Sequence, residues 1–112
     1  MPTIQTCGHE TRRTEFSYRG GVEQGVVIEF DSGDFEINSL IINRVLDHFR
    51  GREAMGGFSV TAPTPGGVGE FLAQQVAELT PRHASFLCAI LNHEGYAQCS
   101  LNGNTVVVQF NA

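Results

Sequence analysis

The side chains able to do chemistry are few, and their spacing limits what they could do. Cys7 and His9 are the only closely spaced pair of metal-ligand types, while His48, His83, His93, Cys88 and Cys99 stand alone. A zinc site needs a second close pair, such as C-x-x-C or H-x₃-H, and none follows, so no metal and no other cofactor is expected. A nucleophilic Cys7 activated by His9 lacks a nameable third group to orient it. There is no G-x-S-x-G, no H-E-x-x-H and no S-x-x-K. Proton transfer could be built only around the Gly/Pro-rich stretch 51–69, with Glu53, His48 or Glu70 as acid or base. In TAPTPGGVGEF (residues 61–71), Gly66, Gly67 and Gly69 run into a helix start, an arrangement that offers N–H groups to an anion. No Lys-Ser or Lys-Thr follows Gly69, and the third glycine of a dinucleotide fingerprint is missing. A turn that starts a helix is the simpler expectation.

Composition bounds the remainder. At 112 residues, 41% hydrophobic with eight Phe, the chain can fill one core, so a single domain over residues 1–112 is expected. The longest apolar run, Phe86 to Leu91, is too short to cross a bilayer, and the first twenty residues hold no apolar leader segment. Three cysteines cannot all pair within one chain, and Cys88 and Cys99 fall where a thiol serves as a small apolar side chain. A reduced, cytoplasmic setting is the expectation, with no membrane partner.

A net charge of −5 disfavours a polyanionic partner at long range. Fifteen of the nineteen charged side chains lie in residues 1–56, leaving Glu70, Glu78, Arg82 and Glu94 for the second half. So few charges cover a half-chain poorly, which predicts a covered surface and a homodimer, with a protein partner as the other candidate.

The elements that must position these residues are legible from periodicity. TEFSYR (14–19) and GVVIEFD (25–31) alternate as two strands, and Phe35 with Ile37 marks a third. In NSLIINRVLDHFRG (38–51), Ile41, Ile42, Val45, Leu46 and Phe49 recur at helical spacing between a capping Asn38 or Ser39 and Gly51. A strand-like Phe58-Ser59-Val60-Thr61 interrupts the loop that follows. A second helix is predicted over residues 68–79, and a third after it with Thr80 as N-cap and Pro81 as its first residue. Asn102-Gly103 predicts a hairpin with Leu101 facing Asn104, Cys99 facing Val106 and Ala97 facing Val108.

The series VGEFLAQQVAEL, TPRHASFLCAIL, NHEG and the NG hairpin, over residues 68–110, resembles the second half of a winged helix-turn-helix domain. That resemblance implies a recognition helix whose Arg82, His83, Ser85 and Asn92 meet DNA or another partner. Phe86 and Ile90 stand where that family usually carries basic or polar residues, and the hairpin tip has no Arg or Lys. Those two apolar residues are instead assigned to self-association.

The expected fold is α+β: N-terminal antiparallel strands, three helices and a C-terminal β-hairpin. The expected function is a non-catalytic binding module that self-associates. The alternatives are a DNA-binding regulator of winged-helix type, and a small enzyme or ligand-binding protein with a pocket near residues 51–69.

Overall fold

A computed structural model describes residues 3–8, 14–31, 33–62, 64–103 and 105–112. Seven strands and three helices follow the order β1 (Thr3–Gln5), β2 (Glu15–Gly21), β3 (Gly25–Phe30), β4 (Gly33–Ile37), α1 (Ser39–Phe49), β5 (Glu53–Met55), α2 (Val68–Ala73), α3 (His83–His93), β6 (Ala97–Asn102) and β7 (Thr105–Phe110). The α+β class holds, with two antiparallel sheets ordered β1-β2-β3-β4 and β5-β7-β6.

The first sheet is two-faced because its strands alternate. Phe16, Tyr18, Val26, Ile28 and Ile37 are buried, while Glu15, Arg19 and Glu36 are exposed on the other side. Much of the acidic excess of the first half rides this wet face, where Arg19 meets Glu29 at 3.2 Å. That exposed pair contributes a fraction of a kcal/mol at most, on the order of 0.2–1.

Helix α1 starts at Asn38, whose Oδ1 accepts from the Ile41 amide at 3.0 Å, and it buries Ile41, Ile42, Val45 and Phe49. Its far end reaches the second sheet, where Phe49 stacks on Phe110 at 5.1 Å.

Helix α3 lies between the sheets. Phe86 packs against Phe16, Phe30 and Phe35 of the first sheet at 5.0, 5.0 and 5.2 Å. The end of the helix turns back so that the Tyr96 amide donates to the Leu91 carbonyl at 2.8 Å, which lays β6 beside it. Eight consecutive residues, Ala84 to Leu91, are buried. A helix apolar all round is a helix covered all round. Residues 84–91 are thus core, and the charge-poor second half is accounted for. Its other surface, the outer side of the β6-β7 hairpin, uses the uncharged polar residues Gln98, Ser100, Thr105 and Gln109, all exposed, beside Glu53 of β5.

Several expectations need correction. The strand in the long loop is Glu53–Met55, paired with β7, and residues 58–61 are irregular. Alternation pointed to 58–61, but the partner edge available on β7 fixes 53–55. Helix α2 stops at Ala73, because Gln75 Nε2 takes the Phe71 carbonyl and tightened turns carry the chain to buried Leu79. Helix α3 begins two residues after Pro81, and His83 Nδ1 accepts from the Thr80 amide at 3.0 Å in place of a Thr80 cap. The hairpin pairs Leu101 with Val106, Cys99 with Val108 and Ala97 with Phe110, a register two residues away from the expected one. An even slip leaves each side chain on its own face, so the apolar side survives. Asn104, named in the expected register, lies outside the described residues. Strand β1 had no alternation long enough to reveal it.

Cys7 and Cys99 are joined by a disulfide across 92 residues, with Cα atoms 6.3 Å apart. This corrects the expectation of three reduced thiols. Cys88 stays free and fully enclosed in α3, where burial pushes its thiol up to about 12. No helix among the described residues is long and apolar enough to cross a membrane.

Candidate functional site

The two sheets do not close on each other along one side of α3, and a trough remains there. Its larger half, about 790 Å³, is walled by residues 6–8 after β1, by residues 57–59, Ala62 and Thr64, by the start of α3 and by the start of β7. Its smaller half, about 470 Å³, runs between β1 and β6 over Ala89, Asn92 and His93 of α3. The halves share Thr6, Cys7, Gly8 and Val106.

Each wall has a local cause. Thr6 and Thr14 are tied to each other, with the Thr6 amide donating to the Thr14 carbonyl and Thr6 Oγ1 accepting from the Thr14 amide, both at 2.9 Å. The Cys7 amide then reaches the Ser85 carbonyl at 3.3 Å, so this wall leans on α3. On the other side the 57–64 loop is seated by close backbone approach: the Gly69 amide donates to the Gly56 carbonyl at 2.8 Å. A Cβ at Gly69 would come within 2.0 Å of the Gly57 oxygen, so only glycine fits there.

Electrostatically the larger half is simple. Arg82 is the only Arg, Lys, Asp or Glu among its described lining residues, and among the described residues no carboxylate forms an ion pair with it. Its lining also includes Thr14, Ser59, Thr64 and Thr105, which carry hydroxyls, and Phe58; Phe86 borders it as well, but that ring is packed among Phe16, Phe30 and Phe35. Burial, and then the Arg82 charge, hold the His83 imidazole below its usual value of 6.5. Neutral His83, its ring 4.3 Å from Phe35, can therefore go on accepting from Thr80.

The residues singled out from sequence separate in space. Arg82 is exposed in the trough wall. Ser85 lines the trough too, but its Oγ donates to the Arg82 carbonyl at 2.7 Å. Asn92 borders the smaller half, where its Oδ1 accepts from the Cys99 amide at 3.1 Å. Phe86 and Ile90, assigned to self-association, are 2% and 0% exposed, so they hold this protomer together and cannot be its contact with another. With both sheets flanking α3, only its ends meet solvent, unlike a helix standing free for a groove of DNA.

The anion cradle is satisfied internally. Gly66 donates to Glu70 Oε1 at 3.1 Å, Gly67 to the Thr64 carbonyl at 3.0 Å and Gly69 to Gly56. Glu70 itself supplies the negative charge. Glu53 is exposed on β5 and His48 stacks on Phe71 at 4.2 Å, and neither these nor Glu70 borders the trough. A pocket bordered by Gly57, Phe58, Ser59, Ala62 and Thr64 is present, and Glu53, His48 and Glu70 are absent from its described lining. Among the described residues no three His, Cys, Asp or Glu side chains cluster to hold a metal. His9, the expected partner of Cys7, lies outside the described residues.

Two features escaped the sequence. The disulfide gave no spacing signal, since any two of three cysteines could pair. The Tyr18 and Glu94 hydrogen bond, 2.6 Å long, spans 76 residues and follows only from the packed fold. No protein-family model matches this chain, and no match is found among curated proteins or solved structures.

Proposed function

We propose that this protein is a non-catalytic binding module that takes a small organic anion with an apolar body in the trough beside Arg82. The observation that carries this is an exposed guanidinium without an ion-pair partner among the described residues, in a trough lined by hydroxyl-bearing residues and the half-buried Phe58. A cation surrounded by low-charge walls favours a carboxylate or similar head, and the Phe58 ring favours an arene or alkyl body. Calorimetry with naphthoate tests it. Saturable binding is expected, and Arg82→Ala should weaken it by about 10- to 100-fold, the range for one charge-assisted hydrogen bond. Equal affinity for naphthoate and neutral naphthamide would remove the charge from the account.

Self-association stands as a second reading, moved to a different surface. On the outer face of β5-β7-β6, Met55 is 49% exposed and sits opposite Val107, which pairs with Ser100. A face whose one carboxylate, Glu53, stands beside an apolar centre suits a copy of itself. Sedimentation of Met55→Glu beside the unaltered protein checks this reading: a dimer converted to a monomer supports it, and a monomer in both cases ends it.

A further inference from the structure

The outer face of the four-stranded sheet and the outer side of α1 carry opposite charge. On the sheet, Glu15, Glu29, Asp34 and Glu36 share one face around the half-buried Val27, and the cation among them, Arg19, is already bonded to Glu29. Glu29 stands directly opposite Asp34, and Glu36 opposite Val27. Like charges across a strand pair weaken a sheet, so this face holds charge that its own chain does not offset.

On α1, Leu40, Arg44 and His48 follow one another at i, i+4 and i+8 along one side, all exposed. Leu40, 67% exposed, is the most exposed large apolar side chain among the described residues. Arg44 reaches Gln75 at 3.5 Å, and among the described residues no carboxylate pairs with it. The carboxylate of the same helix, Asp47, is taken by Arg50 at 2.7 Å. Helix and sheet both turn their buried residues into one core, so their outer faces cannot meet within a single chain.

We propose that α1 of one copy docks on the outer face of the four-stranded sheet of a second copy, joining copies head to tail. Leu40 seats on Val27, and Arg44 bonds Glu36. The spacings agree, since side chains four apart on a helix lie about 5–6 Å from each other at Cβ and directly opposed ones on a sheet about 4.5–5.5 Å. The contact is heterologous. Every copy added still presents one free face of each charge, so growth does not stop at two. This assembly needs neither the trough nor the Met55 face.

Sedimentation over a concentration series tests it at about 10 mM and about 1 M salt, where charges act over about 30 Å and about 3 Å. The mean mass should climb past the dimer with concentration at low salt, and fall at high salt. Arg44→Glu and Glu36→Arg, both at exposed positions, should each lower the association constant by about tenfold or more. An equimolar mixture of the two should regain association, because each supplies the face that the other lacks, and that recovery also shows both variants folded. A monomer at every concentration in low salt overturns the proposal. So does assembly that ends at a dimer, assembly indifferent to salt, or a mixture that associates no better than its components. Capture of a polyglutamate peptide by a chain that stays monomeric, lost in Arg44→Glu, would give the α1 face to another acidic partner and overturn the second copy as its occupant.

Discussion

Tyr18 Oη donates to Glu94 Oε2 at 2.6 Å, and Glu94 Oε1 accepts from the Val22 amide at 3.1 Å. One carboxylate at the end of α3 thereby locks the β2 to β3 turn against the central helix. Tyr18→Phe should cost about 1–3 kcal/mol, because it leaves a partly buried carboxylate short of a donor. The urea midpoint reports the loss. Burial, then the bond to Glu94, then the Glu94 charge, raise the Tyr18 phenol above its ordinary value of 10.0. A raised acid binds its proton more tightly folded than unfolded, so this contribution is complete below pH 10 and declines as pH rises beyond it. Tyr18→Phe should flatten that alkaline decline.

His83 supplies the opposite sign. Its folded value is lowered from 6.5, so the unfolded chain takes up the proton first, and stability conferred by neutral His83 is complete above pH 6.5 and falls as pH drops below it. Protonation also removes Nδ1 as the acceptor for Thr80. Thermal unfolding of His83→Gln and the unaltered protein should converge as pH falls from 7 to 5. Parallel curves over that interval would show that His83 is not titrating against the fold.

Phe86 distinguishes core from interface. With three phenyl neighbours at 5.0 to 5.2 Å, Phe86→Ala should cost about 3–5 kcal/mol in a dilute, monomeric sample. An interface residue would instead change association and leave monomer stability nearly untouched.

Gly69→Ala addresses the outer wall. The added methyl meets the Gly57 backbone at 2.0 Å, and backbone must move to admit it. The expected cost is about 1–3 kcal/mol, with naphthoate affinity falling because the 57–64 wall shifts. A variant of unchanged stability and affinity would show that the loop is not seated as described.

Elements with long internal periodicity were legible in the sequence: β2, β3, α1 and the β6 to β7 hairpin. They carry their own pattern, and an alternating hairpin tolerates a register error of two. Shorter pieces were not, because what fixes β1 and β5 is an open edge on another strand and not their own three residues. Residues 84–91 are core, yet Phe86 and Ile90 were given to an interface, because sequence shows that a helix is apolar without showing that two sheets of the same chain enclose it. Arg82 was found, for a different partner. Its setting depended on the placement of residues 6–8 and 57–64, and no periodicity encodes that. Scarce charge in the second half proved to be a buried helix plus a neutral polar hairpin face.

The central claim is that ligand enters the trough beside Arg82. Amide chemical shifts followed during naphthoate titration of the oxidised protein test it most directly. Saturable perturbations should centre on residues 6–8, 57–62, 64, 82–86 and 105–106, with a midpoint that Arg82→Ala moves about 10- to 100-fold higher. Shifts confined to the outer faces of the sheets, or a midpoint unchanged by Arg82→Ala, would contradict the account.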